Sequence, residues 1–205
     1  MTGNLRSPAV FVDRDGTLIE DVGYLSRCED IRILPGAVEA IRKLRKAGFK
    51  IICISNQSGV ARGKLSENQV REVNNRLQEL LRAEEAELDA YYFCPHHPEA
   101  GEPPYRTVCR CRKPEPGMLE KAETDHAIDL SASFLIGDSI VDVAAGRRAG
   151  VRTVMVMTGP GRETRSAAAW DPDTWPDFMA EDLLEAAALI LGENPHETRE
   201  KESAR

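Results

Sequence analysis

Ala9-Val10-Phe11-Val12-Asp13-Arg14-Asp15-Gly16-Thr17-Leu18 decides the fold. Ala9 to Val12 is a short apolar run rich in β-branched residues, the pattern of a strand buried on both faces of a parallel sheet. Two carboxylates follow, two residues apart. In extended backbone, positions i and i+2 point the same way, so Asp13 and Asp15 can face one reaction centre. Gly16 permits a tight turn, which leaves both acids in the crevice beyond the strand's carboxyl end, where open α/β sheets bind ligands. Taken alone, the stretch also fits an ordinary strand ending in a solvated, Asp-rich turn.

The pattern repeats outward from there. Asp21 to Ile33 is polar and irregular, a flap near the site. Pro35-Gly36 opens a helix carrying Val38, Ile41 and Leu44, which Gly48 ends. Phe49 to Ile54 is a second buried strand running into Ser55-Asn56-Gln57-Ser58. Strand, helix and strand with short joints make a βαβ unit and hence a parallel sheet. Ser66 and Gln69 form a capping box for a helix reaching about Glu87, whose Val70, Val73, Leu77, Leu80 and Leu81 form a core face. Ala90 to Phe93 is a strand, and Cys94 to Pro116 is a loop too long to be a simple joint. A helix from Pro116 to about Thr124 follows. Then come a strand at Phe134 to Ile136, the turn Gly137-Asp138-Ser139, a helix at Ile140 to Ala149, a strand at Arg152 to Met157 and a helix at Leu183 to Leu191. The expected fold is α/β: a three-layer, Rossmann-like parallel sheet with helices on both faces and no large cap domain. One domain spans residues 1–192, and 193–205 form a charged, disordered tail.

The chain's 205 residues, 41% of them hydrophobic, suffice for one domain with a sizeable core. The net charge of −7 argues against a general nucleic-acid binder, so an anionic substrate must be drawn by local cations. No run approaches membrane-spanning length and no secretory signal opens the chain. A cytoplasmic monomer, without nucleic-acid or membrane partners, is expected. Five cysteines in that setting disfavour a disulfide framework.

Four loops thus fall at carboxyl ends of the predicted sheet: Asp13 to Thr17, Ser55 to Ser58, Arg110 to Pro114, and Gly137 to Ser139 with Asp142 nearby. They bring acids, a small hydroxyl and fixed cations, the parts that phosphoryl transfer needs. Cys94-x-His96 and Cys109-x-Cys111 offer three thiols and an imidazole, a donor set suited to a closed tetrahedral zinc site. Spacing alone does not choose between His96 and His97.

On these motifs the chain resembles the haloacid dehalogenase (HAD) superfamily of phosphatases, from about Ala9 to Gly159. Asp13 to Thr17, Ser55 to Gly63, Cys94 to Pro98 and Cys109 to Pro114 narrow the likeness to its heptose-bisphosphate phosphatases, which supply precursors of lipopolysaccharide. Related histidinol-phosphate phosphatases share the zinc loop but lack the Gln57-Ser-Gly-x-Ala-Arg-Gly63 pattern. The resemblance implies a magnesium-dependent phosphatase that acts on a sugar bisphosphate through an aspartyl-phosphate. Asp13 is then the nucleophile and Asp15 the general acid and base. Ser55 and Lys113 hold the phosphoryl group. Magnesium is held by the Asp13 carboxylate, the Asp15 carbonyl and Asp138, and structural zinc by Cys94, His96, Cys109 and Cys111. Arg14, Asp21, Val22, Gly23, Tyr24, Asn56, Gln57, Ser58 and Arg112 are the expected substrate contacts, Arg112 gripping the distal phosphate. Relatives commonly carry Lys where this chain has Ser139. Two other classes share parts of this pattern. A phospho-accepting signalling domain also uses a strand-end Asp, but Asp15 would shorten its acyl-phosphate's life. A zinc-loop nucleic-acid module conflicts with the net charge.

Overall fold

The structure is a computed structural model, and it describes residues 6–159 and 175–192. Its centre is a parallel sheet of six strands: β1 (Ala9–Val12), β2 (Lys50–Asn56), β3 (Ala90–Cys94), β4 (Phe134–Gly137), β5 (Arg152–Val156) and β6 (Phe178–Ala180). The spatial order is β3-β2-β1-β4-β5-β6. Order therefore reverses at β1, which pairs Val10 with both Ile51 of β2 and Phe134 of β4. That reversal opens a crevice beyond the carboxyl end of β1. The Asp13 N–H continues the ladder by donating to the Ile136 carbonyl at 2.9 Å.

Alternation along the strands sends side chains to two separate cores. Val10 and Val12 join Ile51, Cys53 and Ile136 on one face, against α1 (Ala37–Lys46), α2 (Glu67–Ala83) and the last helix, α5 (Leu183–Leu191). Ala9 and Phe11 join Ile52, Ile54 and Leu135 on the other, against Met118, Leu119 and Ala122 of α3 (Gly117–His126) and Ala145 of α4 (Ile140–Ala149). Each fully buried Ile, Leu or Phe contributes about 1.5–3 kcal/mol. The strongly apolar strands thus make a three-layer sandwich that fixes the ends of β1, β2 and β4 relative to one another.

Most expected boundaries hold to within two residues, and three features differ. The helix opened by the Ser66–Gln69 capping box stops at Ala83, not Glu87. There Glu85 takes a φ of 54° and the chain turns to bury Ala86 and Leu88, with the Gln78 side chain bonding both the N–H and the carbonyl of Leu88. Strand β6 was not expected; it has three residues at the sheet edge, and Phe178 is exposed. The flap at 21–33 is pinned more firmly than its polarity suggests. Leu25 and Ile31 are buried, Cys28–Asp30 form a 3₁₀ turn, and Ile19 bridges Ile33. Among the described residues no helix is long and apolar enough to cross a membrane. The expected tail, 193–205, lies outside the described residues.

Candidate active site

The crevice at β1 gathers side chains from loops that are far apart in the chain. Asp13, directly after β1, is buried, as are Asp138, directly after β4, and Asp142, in the first turn of α4. One carboxylate oxygen from each lies within 4.8 Å of the others. Lys113 reaches them from the long loop, 100 residues beyond Asp13 in sequence. Its Nζ lies 2.5 Å from Asp13 Oδ1 and 2.6 Å from Asp142 Oδ1, and donates to the Ile54 carbonyl at 3.1 Å.

Close backbone approach makes room for these acids. An added Cβ would stand 2.0 Å from Asp138 Oδ2 at Gly16, whose φ is 83°, and 1.8 Å from it at Gly159. Only hydrogen at both positions lets the Asp138 carboxylate sit between the β1 loop and the turn after β5. Ser139 is the N-cap of α4, and its N–H donates to Asp142 Oδ2 at 3.2 Å.

Electrostatics states what the trio lacks. Burial pushes Asp13 up to about 7; Lys113 opposes this, while Asp142 and Asp15 add to it. Burial, with Asp13 and Asp142, likewise pushes Asp138 up to about 8. Burial alone would lower Lys113, yet the charges of Asp13 and Asp142 hold it above its ordinary value. Three buried carboxylates face one ammonium, so two negative charges stay uncompensated, the charge of one divalent cation. Hard oxygen donors of this kind suit magnesium. The residues present therefore fit that ion, with Asp13 and Asp138 its available carboxylates, since Asp142 is engaged by Lys113 and Ser139.

Asp15 stands apart from that trio. Arg14 grips it through Nε at 3.1 Å to Oδ1 and Nη2 at 2.9 Å to both oxygens. Gln57 Nε2 donates to Asp15 Oδ2 and to Ser55 Oγ, each at 2.7 Å, and Ser55 Oγ lies 3.4 Å from Asp15 Oδ2. The expectation of Arg14 as a substrate contact is corrected here. Its side chain is 1% exposed, and the remaining nitrogen, Nη1, donates to Asn74 Oδ1 of α2 at 2.9 Å. A guanidinium so enclosed presents no exposed donor to a ligand. Asn56 and Gln57 also turn inward. Asn56 exchanges two hydrogen bonds with the Lys113 backbone, at 2.9 and 3.0 Å, and so holds the cation loop against β2. The sequence reading missed Asp142 as the lysine's second partner, Gln57 as the tie between Asp15 and Ser55, and Asn74. A signal for Asn74 existed: it is the polar residue on the buried face of α2, between Val73 and Leu77.

The flap residues Asp21, Val22, Gly23 and Tyr24 are exposed, and the Asp21 carboxylate accepts the Gly23 N–H at 2.8 Å. The Tyr24 ring lies against Gly59, where a Cβ would come within 2.8 Å of it, so the flap meets the turn that carries Ser58. A cavity of ≈ 360 Å³ under the flap is lined by Glu20, Val22, Tyr24 and Arg32 among others. None of the buried acids, nor Lys113, borders it.

Cys94, at the end of β3, meets His96, Cys109 and Cys111 with all four donor atoms within 4.8 Å. The sulfurs lie 3.1 to 3.5 Å apart, and His96 Nδ1 is 3.4 Å from Cys111 and 3.6 Å from Cys94. Disulfide sulfurs would be about 2.05 Å apart. A tetrahedron of such ligands around zinc has edges of about 3.5–3.8 Å, so the donor set fits that ion. His97 turns away: its Nδ1 accepts the Glu99 and Ala100 N–H groups, and Arg62 lies at its Nε2. Arg112 projects from the same loop and donates to the His96 carbonyl at 3.1 Å.

Comparison with known proteins agrees with this geometry. A HAD-hydrolase-like family model matches residues 110–186. The chain is 42% identical over 163 residues to the D-glycero-beta-D-manno-heptose-1,7-bisphosphate 7-phosphatase of Photorhabdus laumondii, covering 79% of this chain and 87% of that one. It is 41% identical over 191 residues to the D-glycero-D-manno-heptose-1,7-bisphosphate 7-phosphatase of Chlorobaculum tepidum, covering 90% and 94%. Among solved structures, a D,D-heptose 1,7-bisphosphate phosphatase from B. bronchiseptica, complexed with magnesium and phosphate, has a TM-score of 0.78 at 30% identity. That match covers 91% of this chain and 99% of the other.

Proposed function

The chain belongs to the heptose-1,7-bisphosphate 7-phosphatase family of HAD-like hydrolases, and from that membership we propose that it removes the 7-phosphate of D-glycero-D-manno-heptose 1,7-bisphosphate. The observation that carries the chemistry is Lys113 Nζ, buried between Asp13 and Asp142 at 2.5 and 2.6 Å, with Asp138 beside them. One domain over residues 1–192 performs the reaction. Asp13 attacks the phosphorus, forming an aspartyl-phosphate as the bond to the sugar oxygen breaks. Asp15 gives that oxygen its proton and, as carboxylate, then takes one from the water that releases phosphate. Ser55 and Lys113 stabilise the charge on the transferring group. Magnesium, when bound by the Asp13 and Asp138 carboxylates and the Asp15 carbonyl, neutralises charge on the phosphoryl oxygens.

Asp21, Val22, Gly23, Tyr24 and Ser58 line the sugar side, a role supported by the contact of Tyr24 with Gly59. Arg112 takes the phosphate that does not react, since a guanidinium binds phosphate bidentately and this one has no carboxylate partner among the described residues. Cys94, His96, Cys109 and Cys111 would hold a structural zinc, and with all four as ligands their loop would brace Arg112 and Lys113. The test is ³¹P NMR of turnover with both anomers of the heptose bisphosphate, beside histidinol phosphate. Loss of the 7-phosphate resonance with the 1-phosphate retained is the expected result. Preferential hydrolysis of histidinol phosphate would overturn the assignment.

A further inference from the structure

Asp15 has a harder task than Asp13, because it must give up a proton and then accept one without moving. Its two oxygens have different surroundings. Oδ1 accepts from Arg14 Nε and Nη2, at 3.1 and 2.9 Å. Oδ2 accepts from Arg14 Nη2 at 2.9 Å and from Gln57 Nε2 at 2.7 Å, and it faces Ser55 Oγ at 3.4 Å, a hydroxyl that can turn from donor to acceptor. Arg14 thus grips both oxygens and fixes the carboxyl group beside the phosphoryl-binding Ser55.

Arg14 is itself adjacent to Asp15 in sequence and has a long side chain, so something must fix it. Its guanidinium is buried, and its third nitrogen, Nη1, meets Asn74 Oδ1 at 2.9 Å across 60 residues of sequence. Asn74 is 7% exposed and sits on the face of α2 that Val70, Val73, Leu77 and Leu81 bury in the core. A polar side chain on such a face is expensive unless paired. Here it supplies the oxygen that sets the plane of the guanidinium, and the plane of the guanidinium sets the rotamer of Asp15.

We infer that Asn74 is a positioning residue for leaving-group protonation: through Arg14 it holds the Asp15 carboxyl group in the orientation that delivers the proton to the departing oxygen. The inference rests on the assignment of Asp15 as general acid. Its signature is dependence on the leaving group. A sugar alkoxide is a poor leaving group and needs the proton; 4-nitrophenolate is a good one and does not. Because kcat/KM reports only steps through the first phosphoryl transfer, the later base role of Asp15 does not enter it.

The experiment compares kcat/KM of wild type, Asn74→Leu and Asn74→Asp on the heptose bisphosphate and on 4-nitrophenyl phosphate. Asn74→Leu keeps the size and removes the acceptor; Asn74→Asp keeps the oxygen. General acid catalysis is worth about 10²–10⁴-fold. Asn74→Leu is expected to lose about 10- to 10²-fold on the sugar substrate, a part of that factor, and little on the aryl ester. Asn74→Asp should restore most of the sugar-phosphate rate. The ratio of the two substrates is internal to each preparation, so partial unfolding cancels. If Asn74→Leu does not fold, Asn74→Ala carries the same expectation. Equal losses on both substrates would overturn the inference and leave the proposed function standing. A wild-type enzyme that cleaves neither ester would overturn both.

Discussion

Lys113→Met removes the one ammonium among the buried acids while keeping much of the side chain's bulk. In the parent, Nζ lies 2.5 Å from Asp13 and 2.6 Å from Asp142, and the lysine is 3% exposed. Breaking a buried pair by deleting one partner costs about 3–5 kcal/mol, because the other charge is left uncompensated. For a chain of this size, about 2–4 °C per kcal/mol gives a fall in Tm of about 6–20 °C. The pH dependence has a definite sign. Asp13 and Asp138 are raised from 3.8 to about 7 and about 8, mainly by burial, and Lys113 lowers both. A carboxylate raised in the folded state contributes stability that is complete below its ordinary value and is lost as pH rises through the folded one. Without Lys113 both acids rise further, so the deficit widens as pH climbs through about 7 and about 8 and narrows in acid. Losing a cation aimed at developing charge should also cost about 10²–10³-fold in turnover. Thermal unfolding across that pH range in chelator, followed by kcat/KM with magnesium restored, measures both effects. A Lys113→Met protein that matches the parent in Tm and in kcat/KM at pH 8 would refute the reasoning.

Three further perturbations probe the rest of the site. Gly159→Ala places a methyl 1.8 Å from Asp138 Oδ2 and should displace that carboxylate, weakening magnesium activation by about 10–100-fold in a metal titration. Arg112→Ala should lose about 10- to 10²-fold in kcat/KM on the bisphosphate but little on a small monophosphate ester, which lacks the second phosphate. Cys109→Ser should lose bound zinc by elemental analysis, and misplacing Arg112 and Lys113 by even about 1 Å should cost about 10²-fold on the bisphosphate.

What could be read from the sequence followed the strength of local signals. The helices at Ile140–Ala149 and Leu183–Leu191 end at Gly150 and Gly192, and both glycines adopt the left-handed conformation that stops a helix. The end of α2 carried no such mark, because Arg82-Ala-Glu-Glu-Ala-Glu87 consists of good helix formers. Long-range packing of Ala86 and Leu88 stops that helix. Strand β6 was missed since three residues at an edge show no periodicity. The Asp13 to Thr17 loop, Lys113 and the cysteine spacing stood out as motifs. Arg14 misled for a physical reason: beside two acids it reads as a phosphate cation, and only the fold shows its guanidinium buried between Asp15 and Asn74.

The most direct measurement traps the covalent intermediate. Heptose bisphosphate labelled with ³²P at the 7-phosphate is mixed with Asp15→Asn enzyme, quenched in acid within the first turnover, and digested for peptide mapping. Loss of the acid and base slows both formation and breakdown, so the acyl-phosphate persists for capture. The account predicts acid-stable, base-labile label confined to the peptide containing Asp13, and none in a paired Asp13→Asn sample. Phosphate release by active enzyme with no label on Asp13, or label on another residue, would contradict it.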